Sequence, residues 1–212
     1  MKIVGISDVH GRYSIKNIVI PECDILISCG DYSFTGQLHE VRNFHKWLNK
    51  QPAKYKISLQ GNHERGVEAN FGLSKTTAEE ACPGVYFIDE SLIEIEGLKI
   101  WCSSYTPTFL NWAFMRDRGP DIKAHWDRIP DDIDILVTHG PPYGILDYVE
   151  ENGLKRYLGC QDLLNRVKEL KNLKHHFFGH IHYSHGSDGI FHNCAIVNEQ
   201  YQPVNSPIIV EI

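Results

Sequence analysis

The chain opens with Lys2-Ile3-Val4-Gly5-Ile6-Ser7-Asp8-Val9-His10, an apolar run that ends in two metal-binding side chains. Four later segments repeat this pattern of a strand-like run followed by side chains that can bind a metal. Their ends are Gly30-Asp31, Gly61-Asn62-His63-Glu64, Thr138-His139-Gly140 and Gly179-His180-Ile181-His182. The runs before them predict strands over residues 24–29, 55–60, 134–137 and 175–178. Because the carboxyl ends of parallel strands meet at one edge of a sheet, we expect these side chains to converge on one crevice.

The expected crevice carries two carboxylates, one amide and several imidazoles, a donor set that suits two adjacent divalent metal ions. The candidate ligands are Asp8, His10, Asp31, Asn62, His139, His180 and His182. Mixed nitrogen and oxygen ligands favour Mn, Fe, Zn, Co or Ni over Mg or Ca. The alternative is a set of unrelated polar residues, since a lone histidine at a strand end is more often hydrogen-bonded than metal-bound. Five such segments in order favour the metal site.

Helical periodicity and hairpin signals between these segments indicate the fold class. Amphipathic helices are predicted over residues 36–50 and 161–170, a further helix over 120–129 with Pro120 in its first turn, and a short connection over 11–23. A hairpin is predicted over residues 92–102, with its turn at Glu96-Gly97, and antiparallel strands around residues 189–192, 195–197 and 207–212. Strand–helix–strand units mixed with hairpins predict an α/β protein in which two mixed sheets pack together with helices outside.

Length and composition predict one domain over residues 1–212, of ordinary globular composition with 42% hydrophobic and 23% charged residues. The formal net charge of -6 argues against an extended nucleic-acid surface but not against a phosphate ligand beside metal ions. No apolar run is long enough to span a bilayer, and the chain begins directly with a strand, so we expect neither a membrane partner nor a signal peptide. The six scattered cysteines are interpreted as reduced thiols of a cytoplasmic protein. The oligomeric state stays open.

The motif order resembles that of the calcineurin-like metallophosphoesterases, whose signature is D-x-H, G-D, G-N-H-[DE], a histidine before glycine, and G-H-x-H. All five occur here in order, and the resemblance covers the whole chain. Within that superfamily the sequence is most similar to the small MPPED/UPF0046-type phosphodiesterases. That closer likeness rests on Ile100-Trp101, Asn111-Trp112-Ala113-Phe114, Thr138-His139-Gly140-Pro141-Pro142 and Tyr201-Gln202-Pro203-Val204-Asn205, beside the third motif.

The resemblance implies a four-layer α-β-β-α sandwich and a role for each motif residue. Asp8, His10 and His182 would hold one metal ion, Asn62, His139 and His180 the other, and Asp31 would bridge them. Mn²⁺ is the expected metal, with Fe, Zn, Co and Ni as alternatives. A metal-bridging hydroxide would attack phosphorus, and His63 would act as general acid on the leaving oxygen. Other interpretations of His63 are a further ligand or a supporting hydrogen-bond donor. Glu64 is expected to support the residues around the metal ligands, for example by orienting a ligand histidine.

One departure from the family pattern bears on the substrate. Protein phosphatases of this type continue the second motif as G-D-Y-V-D-R-G, whereas this chain has Phe34 and Thr35 at the aspartate and arginine positions. Without that arginine a phosphomonoester dianion loses a bidentate partner, so a small phosphodiester, such as a cyclic nucleotide, is the expected substrate. A nuclease, a phosphomonoesterase and a non-catalytic metal-binding scaffold remain alternatives. The candidate substrate contacts are Arg12, Asn62 and Trp112, and Trp112 either stacks on a nucleobase or only packs.

Overall fold

The computed structural model of the chain describes residues 1–14 and 18–212. Residues 15–17, within the connection predicted over 11–23, lie outside the described residues. The strands are β1 (Lys2–Ile6), β2 (Cys23–Ser28), β3 (Ala53–Ser58), β4 (Tyr86–Phe87), β5 (Ser91–Ile95), β6 (Leu98–Ser103), β7 (Thr106–Pro107), β8 (Met115–Arg116), β9 (Ile135–Thr138), β10 (Tyr148–Glu151), β11 (Leu154–Tyr157), β12 (His175–Phe178), β13 (Gly186–Asp188), β14 (Phe191–Asn193) and β15 (Ile208–Glu211). The α-helices are α1 (Leu38–Asn49), α2 (Arg65–Ala69), α3 (Phe71–Ala81), α4 (Pro120–Trp126) and α5 (Gln161–Glu169), with 3-10 turns at Arg12–Ser14 and His182–Ser184. Across these described ranges, no helix combines the length and apolar character needed to cross a membrane.

Two mixed sheets form the centre of the fold. The first has the order β15-β1-β2-β3-β4, in which β1 to β4 are parallel and β15 runs antiparallel to β1. The second has the order β13-β14-β12-β9-β6-β5, with a parallel centre and an antiparallel strand at each edge. The parallel strands therefore end at the edges where the candidate ligands follow them.

Side chains alternate between the faces of each strand, and this alternation produces four layers. Ile3 and Ile25 point inward, where they pack against the second sheet around Ile135 and Phe177. Val4 and Leu26, the next residues on β1 and β2, point outward and pack against α1. A separate apolar cluster packs the second sheet against α4 and α5. The order helix, sheet, sheet, helix confirms the predicted α-β-β-α sandwich.

The predicted strands at the five motifs are all present, with bounds shifted by up to two residues. The hairpin β5–β6, the helices α1, α4 and α5, and the antiparallel C-terminal strand β15 are confirmed as well. Pro120 lies in the first turn of α4, where its missing N–H would have had no partner in any case.

Besides the short helix α2 and the two-residue strands β7 and β8, which were not predicted, three parts of the local prediction differ from the structure. Helix α3 was missed because its buried face consists of Ser74, Thr77 and Ala78, which leave no apolar periodicity to detect. The hairpin β10–β11 was missed because its second strand is exposed on both faces. Residues 195–197 form isolated bridges, Ser7 to Ala195 and Val197 to Pro203, rather than a strand.

A buried histidine in α1 makes the stability of the fold depend on pH. His45 donates from Nδ1 to the carbonyl of Val41 and accepts at Nε2 from the Ser58 hydroxyl, and burial lowers its pKa to about 4. The unfolded chain binds this proton near pH 6.5, so stability is lost as the pH falls from about 6.5 towards 4. We expect His45 to contribute a loss of about 2 kcal/mol near pH 5 relative to neutral pH.

Urea unfolding of the chelated protein at the two pH values measures this loss. His45→Gln removes the titrating group, so the pH-dependent loss should shrink by that amount, whatever the variant costs at neutral pH. His39→Gln, at an exposed position of the same helix, is the matched control. An unchanged pH dependence in His45→Gln would contradict the prediction.

Candidate metal centre

The five motifs meet at one edge of the two sheets. Asp8, Asp31 and Asn62 follow β1, β2 and β3 of the first sheet, while His139 and His180 follow β9 and β12 of the second. Two triads that consist only of predicted metal ligands have ligand atoms within 4.8 Å of one another. They are Asp8, His10 and His182, and Asp31, His139 and His180. Oδ1 of Asn62 adds to the second triad, 2.9 Å from Nε2 of His139.

Four candidate ligands have left-handed backbone conformations, which residues other than glycine rarely adopt. Their φ angles are 53° at Asp8, 38° at His10, 51° at Asp31 and 67° at His180. Such conformations cost free energy and persist only where surrounding structure imposes them, and they concentrate at functional sites. Here the backbone turns sharply after each strand, so the side chains of these four ligands point towards one another.

Each aspartate is held through one oxygen and presents the other to the imidazoles. Oδ2 of Asp8 accepts from the backbone N–H of His180 at 2.8 Å, and Oδ1 of Asp31 accepts from the N–H of His63 at 2.8 Å. The remaining oxygens lie 3.3 Å from Nε2 of His182 and 3.5 Å from Nε2 of His139, respectively. Oδ2 of Asp31 also lies 3.8 Å from Nε2 of His10, so this carboxylate contacts members of both triads.

Two of the histidines are oriented by backbone carbonyls. Nδ1 of His139 donates to the carbonyl of Cys29 at 2.9 Å, and Nδ1 of His182 donates to that of Asn198 at 3.2 Å. Each bond leaves Nε2 facing the centre, which is how metal-binding histidines are commonly fixed.

The charges at the site are balanced between carboxylates and imidazoles. Burial opposes ionisation of Asp8 and Asp31, but His182 and His139 outweigh it and hold both pKa values below the usual range. Burial would also lower the pKa of His139, yet Asp31 raises it to about 9. Burial lowers the pKa of His10 to about 4, so this imidazole is neutral near neutral pH.

The arrangement fits metal ions. Oδ1 of Asp8 is buried and has no hydrogen-bond partner in the part of the chain that the structure describes. Nε2 of His10 and Nε2 of His182 lie only 3.2 Å apart, although both face the carboxylates. Two imidazole nitrogens and a buried carboxylate oxygen at such distances form a donor set that suits a divalent cation. Which side chain binds which ion stays a prediction.

His63 lies beside the two triads. Its ring centroid is 4.5 Å from that of His10, and its Nδ1 donates to the carbonyl of Phe34 at 3.1 Å. It also forms a triad with His10 and Asp31, so the interpretation as a further ligand stays open. This hydrogen bond orients the ring, and Nε2 of His63 has no hydrogen-bond partner among the described residues.

Trp112 covers the other face of His63. The two rings stack with centroids 4.5 Å apart and planes inclined by 27°. The loop that carries Trp112 is anchored by the N–H of Ala113, which donates to the carbonyl of Asn62, and by the N–H of Phe114, which donates to Glu68. Trp112 therefore packs on a candidate catalytic residue. Whether it also contacts substrate stays a prediction, as it does for Arg12, which is exposed.

Glu64 supports the site through hydrogen bonds to two loops. Its buried carboxylate accepts from the backbone N–H groups of Asp31 at 2.8 Å, Gly61 at 2.7 Å and Ser33 at 3.0 Å, and from the Ser33 hydroxyl at 2.7 Å. These hydrogen bonds give Glu64 the predicted supporting role, through backbone N–H groups and a serine hydroxyl rather than through a ligand histidine. Glu64 joins the loop after β2 to the loop after β3, since both loops need acceptors for buried N–H groups.

Sequence reasoning gave no role to Tyr201, whose ring lies over the centre. Its centroid is 4.8 Å from that of His10, 5.8 Å from that of His182 and 6.4 Å from that of His63. The available signal was its place in the Tyr201-Gln202-Pro203-Val204-Asn205 motif.

Comparison with known proteins agrees with this geometry. The family model described as calcineurin-like phosphoesterase matches residues 1–184. Metallophosphoesterase domain-containing protein 1 of Homo sapiens is 33% identical over 234 residues, covering 100% of this chain and 71% of that protein. A UPF0046 protein of Caenorhabditis elegans is 32% identical over 226 residues, covering 100% and 75%. A solved structure from Thermus thermophilus is similar in fold, with a TM-score of 0.55, 13% identity, and 84% and 80% of the two chains covered.

Proposed function

Because the chain belongs to the calcineurin-like phosphoesterase family, we propose that it is a metal-dependent phosphodiesterase that hydrolyses small phosphodiesters. The observation that carries the proposal is the chemistry at positions 34 and 35. The hydroxyl of Thr35 donates to Glu40 at 2.7 Å, and the ring of Phe34 lies 5.9 Å from that of His10. Neither side chain can neutralise the second charge of a monoester, whereas a diester monoanion does not need that partner.

We propose that Asp8, His10 and His182 hold one divalent ion, that Asn62, His139 and His180 hold the other, and that Asp31 bridges them. Mn²⁺ is the proposed metal on the basis of the mixed donor set. When bound, the ions supply Lewis-acid activation of a water molecule and of the phosphoryl group.

His63 is the proposed proton donor to the leaving oxygen, and its neighbours fix the orientation of its ring. Since Nδ1 of His63 donates to the carbonyl of Phe34, Nε2 is the atom that can give a proton to the leaving oxygen. Trp112 restricts rotation of that imidazole. The backbone N–H groups of His63 and His180 fix the carboxylates of Asp31 and Asp8, so the ligand oxygens keep their positions during turnover.

The first test compares bis-p-nitrophenyl phosphate with p-nitrophenyl phosphate on chelated protein and after Mn²⁺ is restored. We expect metal-dependent diester turnover that exceeds monoester turnover at least about tenfold. Thr35→Arg should raise monoester turnover, and Thr35→Gln is its uncharged control. Faster monoester hydrolysis by the unmodified protein would identify a phosphomonoesterase, and two bound metals without turnover of either ester would identify a scaffold.

Trp112 provides a second prediction. Trp112→Ala should lower kcat about tenfold on diesters with poor leaving groups, because a displaced general acid loses its alignment. KM and metal content should stay constant, and Trp112→Phe should restore kcat. A loss of the ring-current shift of the His63 protons, measured by NMR, distinguishes positioning from general damage. Leu110→Ala, at an exposed position of the same loop, is the control, and an equal loss in both variants would contradict the prediction.

We also propose a cytoplasmic location and no extended nucleic-acid surface. All six cysteines are free and buried, as suits a reducing compartment. The formal net charge of -6 supports small diesters over long polyanions.

A further inference from the structure

A cavity of about 720 Å³ opens beside His180 and His182, and it is called the side pocket below. Its walls include Phe109, Val149, Leu158 and Tyr201, of which Phe109 is 63% exposed. The volume lies within the range of pockets that bind small organic groups. Because the candidate ligands His180 and His182 form part of its lining, a phosphodiester held at the metal centre has direct access to it.

The two arginines of the side pocket are already engaged. Arg118 donates from Nη1 to the carbonyl of Gly159 and from Nη2 to the carbonyl of Leu158, both at 2.7 Å. Arg156 pairs with Glu151 at 2.7 Å. Both terminal nitrogens of Arg118 are therefore engaged, and Arg156 already faces a carboxylate of the same wall.

Three carboxylates also line the side pocket. Besides Glu151, the lining contains Glu150 and Glu199. Glu150 accepts from the hydroxyl of Tyr183 at 3.1 Å, and Glu199 is exposed. Three carboxylates against two arginines leave the wall away from the metal centre with an excess of negative charge, which repels an anionic group there, while the apolar side chains favour an uncharged one.

The position of the pocket indicates which part of the substrate enters it. His63 does not line the side pocket, whereas His180 and His182 do. A diester whose leaving oxygen faces Nε2 of His63 therefore turns its other substituent, the one retained on the product, towards the pocket.

We propose that the side pocket binds the retained substituent of the phosphodiester and selects an uncharged, ring-sized apolar group. The inference rests on the proposed function, because it assumes that a diester binds at the metal centre. It adds a specificity determinant that the metal ligands and His63 do not supply.

The test uses the Mn²⁺-loaded protein and three substrates that share p-nitrophenolate as leaving group. They carry methyl, benzyl or para-carboxybenzyl as the retained substituent. We expect KM for the benzyl ester to be about tenfold lower than for the methyl ester, with similar kcat, because only binding changes. The para-carboxybenzyl ester should lose that advantage.

Variants test the walls separately. Phe109→Ala should raise KM for the benzyl ester and leave the methyl ester unchanged, while Leu110→Ala, next to it but outside the lining, should change neither. Glu199→Lys should lower KM for the para-carboxybenzyl ester. Equal KM values for the three esters would overturn the pocket inference alone. No metal-dependent turnover of any of them would overturn the proposed phosphodiesterase, and the inference with it.

Discussion

Replacing His63 with alanine is expected to lower turnover of a diester with an alkoxide leaving group at least about a hundredfold. An alkoxide is a strong base and needs a proton as it leaves, whereas p-nitrophenolate leaves without one. The loss should therefore be small on bis-p-nitrophenyl phosphate and large on alkyl diesters. Kinetics on both substrates, with metal analysis of the same preparation, measure the difference.

The matched control for this variant is His39→Ala, at an exposed position of α1. Two other outcomes have different meanings. Loss of bound metal in His63→Ala would show that His63 is a ligand, as its proximity to His10 and Asp31 also allows. Full activity on alkyl diesters with metal retained would show that another group protonates the leaving oxygen.

The second large effect is expected at Glu64, which accepts four hydrogen bonds from two loops. In Glu64→Gln the side-chain NH₂ would face two of those donors, so buried N–H groups lose their acceptor. We expect the free energy of unfolding to fall by about 3 kcal/mol. Because Asp31 and Gly61 are among the donors, metal affinity should fall as well. Urea unfolding and metal titration of the same variant measure both effects.

Glu79→Gln, at an exposed position of α3, makes the same chemical change without buried partners and serves as control. Surface substitutions of this kind typically change stability by less than about 0.5 kcal/mol. If Glu64→Gln were as stable as the control and bound metal equally well, the loop after β2 would not depend on this carboxylate.

The sequence predicted the parts of the structure that repeat a local pattern. Apolar runs that end in Asp8, Asp31 or His139 predict both a strand and the place where the side chain emerges. The position of Tyr201 could not be predicted in this way, because it depends on a turn that Asn198 holds through several hydrogen bonds, one of them to His182. The partners of Glu64 could not be predicted because most of them are backbone N–H groups, which the sequence does not display. Helix α3 was missed because small polar residues form its buried face.

The two sheets contribute different halves of the candidate centre. The first sheet supplies Asp8 and Asp31, while His180 and His182 arrive only with the second, and the hydrogen bond between His180 and Asp8 joins residues 172 positions apart. Such a contact closes late during folding, since the loop it completes contains most of the chain. A nascent chain that has made only β1 to β4 therefore exposes Asp8 and Asp31 without the imidazoles of His180 and His182. Metal ions that bind after both sheets have formed would link the loops of the first sheet to those of the second. Removal of the ions should therefore make the two sheets separate more easily.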